Sequence, residues 1–269
     1  MSSANTLSDG SRRPWRELWR EGAAPLFGLF ARLTTAEAYE VLALTQINLI
    51  VIDVEHGSFD RRVLNQCLAA ARSSGLTALV RVPDAGLADV QHAINAGANG
   101  IIVPHVAAAA EITEVVRFAR GLGIERAWAG AGRASRFRSE PWSRFRHDAA
   151  RDLTVIAQID EPPGLKAAND IASVPGLDGI FLGQIGLSLA MEASHPDAVE
   201  VNDALAAVCR VCRARGLPIG MSLPNPAEVD GWLAKGVRLF VVDSDYGVLR
   251  KGVDSRVSDF RKHLTSQLA

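Results

Sequence analysis

The sequence predicts a (β/α)8 barrel. Eight short apolar runs alternate along the chain with longer stretches of helical periodicity. No β-hairpin signal interrupts the alternation, which argues for parallel strands joined by right-handed crossovers. The 269 residues also match the size of one complete barrel. The runs are nearly continuous in apolar residues, so both faces of the sheet should be covered. An open doubly wound sheet is the competing arrangement. No G-x-G-x-x-G follows the first run, which leaves a dinucleotide-binding version without support.

The order of elements follows from the same pattern. Residues 1–24 mix Ser, Arg, Trp and Gly and are expected to be an extension carrying a short packing helix through Trp15 and Trp19. Residues 25–269 form the barrel domain. Its predicted strands are Leu26–Phe30, Leu49–Asp53, Ala78–Val82, Ile101–Val103, Val155–Ile159, Ile180–Leu182, Ile219–Met221 and Leu239–Val242. Helices are expected over Thr35–Thr45, Arg61–Ser73, Leu87–Ala96, Ala109–Arg120, Leu165–Ile171, Val201–Arg215 and Pro226–Lys235, with a last one around Val253–Leu268. One interval breaks the rhythm: 121–152 is long for a connection and interleaves seven arginines, Arg133 among them, with four aromatic residues. A loop of that length is usually functional or engaged with another subunit.

Hydrophobic residues make up 48% of the chain and charged residues 22%, enough apolar surface for a large core. A formal net charge of -1 gives no long-range field for nucleic acid or an anionic membrane. No apolar run has the length of a membrane span and the first 25 residues lack a secretory core, so a cytoplasmic location is expected. Of three cysteines, Cys209 and Cys212 form a C-x-x-C inside a helical stretch. Without a second pair, packing thiols are expected rather than zinc ligands.

In a barrel, polar side chains at the carboxyl ends of the strands share one basin. The second run ends in Asp53-Val54-Glu55-His56-Gly57, and His56 is the side chain there suited to proton exchange near neutral pH. Asp53 capping a turn and His56 packing is the structural alternative. Arg81 ends the third run, where its planar fork suits a carboxylate or enolate oxygen, or equally a buried salt bridge to Asp53 or Glu55. His105 follows the fourth run and is either basin-facing or structural. Gln158 and Asp160 share one direction at the end of the fifth, where Asp160 suits a divalent cation or a water. Residues 183–188 look like a polar turn. At the end of the eighth run, Asp243 and Asp245 offer one cap and one basin carboxylate.

In order and spacing, these pieces resemble the HpcH/HpaI family of class II pyruvate aldolases. The resemblance rests on Ile52-Asp53-Val54-Glu55-His56-Gly57, Val80-Arg81-Val82-Pro83, Ile102-Val103-Pro104, Arg133-Ala134-Ser135-Arg136-Phe137, Gln158-Ile159-Asp160, residues 176–183, Leu187-Ser188 and residues 245–248. It implies a barrel of the phosphoenolpyruvate/pyruvate type and an aldol or retro-aldol reaction on a small 2-oxo acid, without a Schiff-base lysine. By the same resemblance His56 belongs to the proton-transfer apparatus, Arg81 supports the keto or enolate oxygen and Asp84 assists the histidine. Gln158, Arg133, Gly183 and Ser188 contact the substrate, and the protein is a homo-oligomer, trimer or hexamer.

The resemblance also implies a divalent cation (Mg, Mn or Co) acting as a Lewis acid. Here the sequence departs from the pattern: Asp160 stands where a glutamate is usual, and Gly186 where an aspartate is usual. One ligand is shortened and the other has no side-chain oxygen, which should weaken a cation held by one or two carboxylates. Two alternatives stay open on the same scaffold, a metal-independent lyase or synthase and a non-catalytic metabolite binder.

Overall fold

The computed structural model describes residues 15–120 and 153–268; Arg133 and the rest of 121–152 lie outside the described residues. Eight parallel strands close a barrel in sequence order: β1 (Leu26–Ala31), β2 (Leu49–Asp53), β3 (Thr77–Arg81), β4 (Gly100–Val103), β5 (Thr154–Ile159), β6 (Gly179–Leu182), β7 (Ile219–Ser222) and β8 (Val237–Ser244). β1 pairs with both β2 and β8, which closes the ring. All eight predicted runs are strands.

The barrel interior is apolar. Leu26, Leu49, Val51, Leu79, Ile102, Ile156, Phe181, Leu239 and Val241 meet inside it, and Trp15 and Trp19 of the N-terminal helix Trp15–Glu21 stack at its amino-terminal end with ring centroids 5.4 Å apart. A second and larger apolar cluster lies between the sheet and the surrounding helices. Side chains alternate along a strand. The inward set therefore extends by steps of two from Leu49 and Val51 to Asp53, from Leu79 to Arg81, and from Ile156 to Gln158 and Asp160. On β1 the same step runs from Leu26 through Phe30 to Arg32. Phe30 and Phe181 meet edge to face, 6.2 Å between centroids, below this polar ring.

The helices differ from expectation at four places, one of them Pro226–Lys235, which is a 3-10 turn, Pro226–Glu228, followed by the helix Val229–Ala234. Residues 165–171 belong to two short helices, Pro162–Lys166 and Ala168–Ile171, because Pro162 and Pro163 suit a first turn. Residues after Gly183, expected as a turn, form the helix Gln184–Ala190. The last helix starts directly at the end of β8 and spans Asp245–Leu268. No described helix is long and apolar enough to cross a membrane. Cys209 and Cys212 are buried on the helix Val199–Ala214, and burial pushes their thiols up to about 11 and about 12. Buried thiols of this kind pack as small apolar groups.

Candidate active site

Arg81 is the centre of the polar ring. It is 7% exposed and sits on Phe30, with the guanidinium carbon 4.6 Å from the ring centroid. Its Nε donates to Asp53 Oδ1 (2.9 Å) and its Nη2 lies 2.8 Å from Asp53 Oδ2, a two-pronged pairing. Glu55 Oε2 is 3.1 Å from Nε. Both sequence readings of Arg81 thus coexist: it is salt-bridged, and the bridge fixes it at the mouth. Nη1 makes one long bond, 3.4 Å to Gln158 Oε1, and is the edge of the guanidinium left for a ligand.

Nη2 of Arg81 is also 2.9 Å from His56 Nδ1. A guanidinium has no acceptor. Nδ1 of His56 therefore accepts, and the ring proton sits on Nε2. The ring is half exposed, with Glu55 Oε2 at 3.5 Å and Asp53 Oδ1 at 3.6 Å from Nδ1. The local chain explains its position. Gly57 N donates to Asp53 O (2.9 Å), and a Cβ on Gly57 would lie 2.4 Å from that oxygen, so only glycine allows the tight turn that lifts His56 over the mouth.

Asp53 is fully buried between two arginines. Arg32, just past β1, donates from Nε to Asp53 Oδ2 at 2.7 Å. Burial alone would raise the Asp53 carboxyl, but Arg81 and then Arg32 outweigh it and hold it below the usual carboxylate value. The Arg32 backbone is fixed as well: Asp245 Oδ2 accepts from the amides of Arg32 and Leu33, both at 2.8 Å, while Asp245 Oδ1 accepts from Tyr246 N. Asp245 thus braces the mouth and caps its own helix. The sequence reading missed Arg32, although the period-2 step beyond Phe30 leads to it.

On the far side of Arg81, Gln158 Nε2 donates to Asp160 Oδ2 (2.6 Å). Asp160 Oδ1 is buried and has no hydrogen bond. Its neighbour is His105, whose Nδ1 lies 3.3 Å from Asp160 Oδ1 and from Glu161 Oε1, and whose Nε2 lies 2.7 Å from Glu55 Oε1. Burial lowers the His105 pKa, but Asp160, Glu55 and Glu161 together raise it above the ordinary value. Glu161, next to Asp160 in the sequence, reaches the same histidine.

Other predicted site residues are placed differently. Asp84 is exposed, and its Oδ1 accepts from Gly86 N (2.6 Å); within one chain the carboxylates beside His56 are Asp53 and Glu55. Ser188 is buried and its hydroxyl donates to Ile185 O (2.8 Å) inside its own helix. Gly183 packs on Asp160, where an added Cβ would lie 2.4 Å from the Asp160 Cβ. His56, Arg81, Gln158 and Asp160 do converge, as the alternation required.

A family model, "HpcH/HpaI aldolase/citrate lyase", matches residues 26–251. The chain belongs to this family. It is 30% identical over 241 residues to a 5-keto-4-deoxy-D-glucarate aldolase of Salmonella arizonae, covering 87% of this chain and 92% of that one. It is 28% identical over 243 residues, 89% of each chain, to a hydroxypyruvate/pyruvate aldolase of Delftia acidovorans. Among solved structures, an HpcH/HpaI aldolase/citrate lyase family protein from Burkholderia cenocepacia superposes with a TM-score of 0.85 at 26% identity, over 92% of this chain and 98% of that one. As an HpcH/HpaI member, the protein is an aldolase-type carbon–carbon lyase, and the Arg81 network is the polar centre at its barrel mouth.

Among the described residues, Asp53, Glu55 and His56 bring donor atoms within 4.8 Å of one another, a composition that suits a divalent cation. A guanidinium already fills that role, since Arg81 touches all three. The donor that fits a metal better is Asp160, whose buried Oδ1 is without a hydrogen bond and whose other oxygen is steadied by Gln158. Gly186 adds no oxygen. One carboxylate completed by water and substrate is within the habits of hard divalent cations.

Proposed function

We propose that this lyase makes and breaks the bond between a pyruvate-type enolate and an aldehyde, acting on small hydroxy-oxo acids. The observation that carries the reading is the buried Arg81 guanidinium, locked by Asp53 at the carboxyl end of the barrel with its Nη1 edge still available. A positive group so fixed needs no reorganisation when negative charge develops on a keto oxygen.

In cleavage, His56 takes the proton of the substrate hydroxyl, the carbon–carbon bond electrons pass to the keto group, and the enolate oxygen settles on Arg81. To accept at Nε2 the ring must carry its proton on Nδ1, which requires Nδ1 to turn from Arg81 Nη2 toward the Glu55 and Asp53 oxygens 3.5 and 3.6 Å away. In bond formation the tautomer seen here serves, since its Nε2–H donates to the new alkoxide. Gln158 orients the oxo acid from the β5 side. A divalent cation, if bound, would be held by Asp160 and would supply Lewis-acid stabilisation of the enolate.

The names of the relatives suggest the first substrates: 5-keto-4-deoxy-D-glucarate for cleavage, and hydroxypyruvate or pyruvate with an aldehyde for condensation. The test is release of pyruvate-type oxo acid from that panel, with and without chelator. Turnover that Arg81→Met abolishes supports the reading; turnover indifferent to Arg81 would sink it. The same proposal includes a cytoplasmic homo-oligomer, trimer or hexamer. Leu249, Val253, Phe260 and Leu264 each stand more than half exposed on the last helix, at spacings that repeat on one helical side. Light scattering of the purified chain, and of Phe260→Glu, measures that state.

A further inference from the structure

The contact between His105 and Asp160 demands a cation. His105 Nε2 lies 2.7 Å from a carboxylate oxygen, Glu55 Oε1, so Nε2 carries a proton and donates. In the neutral ring this leaves Nδ1 a bare lone pair, yet Nδ1 faces two further carboxylate oxygens, Asp160 Oδ1 and Glu161 Oε1, each at 3.3 Å. Lone pairs do not approach carboxylates without something positive between them, either a proton or a metal ion.

Three features suit a metal in that place. Asp160 is 3% exposed and its Oδ1 has no hydrogen bond, a buried acceptor aimed at the imidazole. Ligand atoms each held about 2.0–2.1 Å from one ion lie about 2.9 Å apart at a right angle and about 3.4 Å apart at the tetrahedral angle. The observed 3.3 Å falls in that interval. The Glu55–His105 pair, finally, has the form of the carboxylate that holds the far ring nitrogen of a metal-bound histidine and fixes its tautomer. The backbone is committed to this placement: His105 has φ 54°, in the left-handed region, and the next amide, Val106 N, is bonded to Gln158 O (3.1 Å) beside β5. A non-glycine residue held there is strained and stays only when its surroundings insist.

We propose that His105 Nδ1 is a protein ligand of the divalent cation, standing beside Asp160 in place of the oxygen that Gly186 lacks, with Glu55 orienting the ring and water and substrate completing the shell. A nitrogen donor changes which ion is preferred. Imidazole suits cobalt, zinc and their neighbours, whereas magnesium favours all-oxygen shells. The site therefore selects a transition metal over magnesium.

The inference concerns the metal and stands apart from the aldolase reading, so the two are measured separately. The chain, stripped with chelator, is titrated with manganese and cobalt, and bound manganese is examined by pulsed electron paramagnetic resonance. Directly coordinated nitrogen is expected in the wild type and absent in His105→Ala. The variant should lose at least about 10-fold in cobalt affinity while magnesium affinity changes little; Glu55→Gln should cost about 10-fold or more through the ring's orientation. Far-ultraviolet dichroism confirms that each variant is folded, and the wild-type nitrogen signal needs no variant. Manganese bound without nitrogen coupling would overturn the assignment, as would failure to bind any transition metal or unchanged cobalt affinity in His105→Ala. Pyruvate release assayed in chelator decides the aldolase reading independently of all these outcomes.

Discussion

Two buried ionic clusters sit at opposite ends of this barrel, and they are built differently. At the amino-terminal end, one carboxylate, Asp178, is fully buried and clasped by Arg16, Arg20 and Arg120. Its Oδ2 also accepts from Val155 N (2.8 Å), and Arg120 reaches the carbonyls of Leu153 and Gly176. At the mouth, the buried carboxylates Asp53, Glu55 and Asp160 meet two permanent cations, Arg81 and Arg32, and one titratable ring, His105. In the first cluster Asp178 Oδ1, which has no hydrogen bond, is faced by permanent cations, Arg16 and Arg20, and the cluster ties the N-terminal helix to the barrel. The second leaves Glu55 Oε2 and Asp160 Oδ1 likewise without hydrogen bonds, but it sets Asp160 against a titratable ring and leaves an arginine edge with a single long bond. Chemistry belongs where the electrostatics are incomplete, because a ligand can complete them.

The sharpest test of this contrast pairs one arginine from each end. Arg81→Ala should reduce turnover by roughly 10³-fold, the scale of losing a fixed oxyanion donor, and should also destabilise the fold by about 3 kcal/mol because Asp53 loses its main partner. Arg120→Ala should cost about 2 kcal/mol in a melting experiment and leave the turnover of the folded protein near wild type. Equal kinetic effects from the two would erase the distinction. Next in size is His56→Asn, which keeps an amide near Arg81 but cannot relay a proton. It should lower kcat by about 10²-fold with KM little changed, read from steady-state pyruvate release.

How much of this was legible in the sequence varies with the physics behind each feature. The strands announced themselves because a parallel barrel buries both faces of each, so Leu49–Asp53 and Val155–Ile159 are apolar almost throughout. Gln158 and Asp160 followed from alternation. Arg32 was equally accessible to that rule and was missed because the apolar run was ended at Phe30. His105 was left between two readings for a sound reason: its meaning depends on Glu55 and Asp160, 50 and 55 positions away along the chain, and on a left-handed backbone that no single residue type signals. The glycines at 183 and 186 suggested a turn, whereas Gly183 serves close packing against Asp160 and the helix begins directly after it. Asp84 was matched by loop position alone, and a loop carries no periodicity to correct such a match.

The mildest prediction bears on Arg32, the residue that distinguishes the two sides of Asp53. Its Nε holds Asp53, and among the described residues its Nη atoms make no hydrogen bond or ion pair. Arg32→Met should therefore destabilise the protein by only about 1 kcal/mol at neutral pH. The pH dependence is more telling. Because Asp53 is held below its ordinary value in the folded state, its ionisation contributes stability above the usual carboxylate pKa. That contribution is lost as pH falls through the folded value. Removing Arg32 raises the folded value toward the unfolded one, so the acid limb of the melting curve should shift to higher pH in Arg32→Met and shift further in Arg81→Met. An unchanged acid limb in Arg32→Met would mean that Arg81 alone neutralises Asp53, and that the β1 side of the mouth contributes position but no charge.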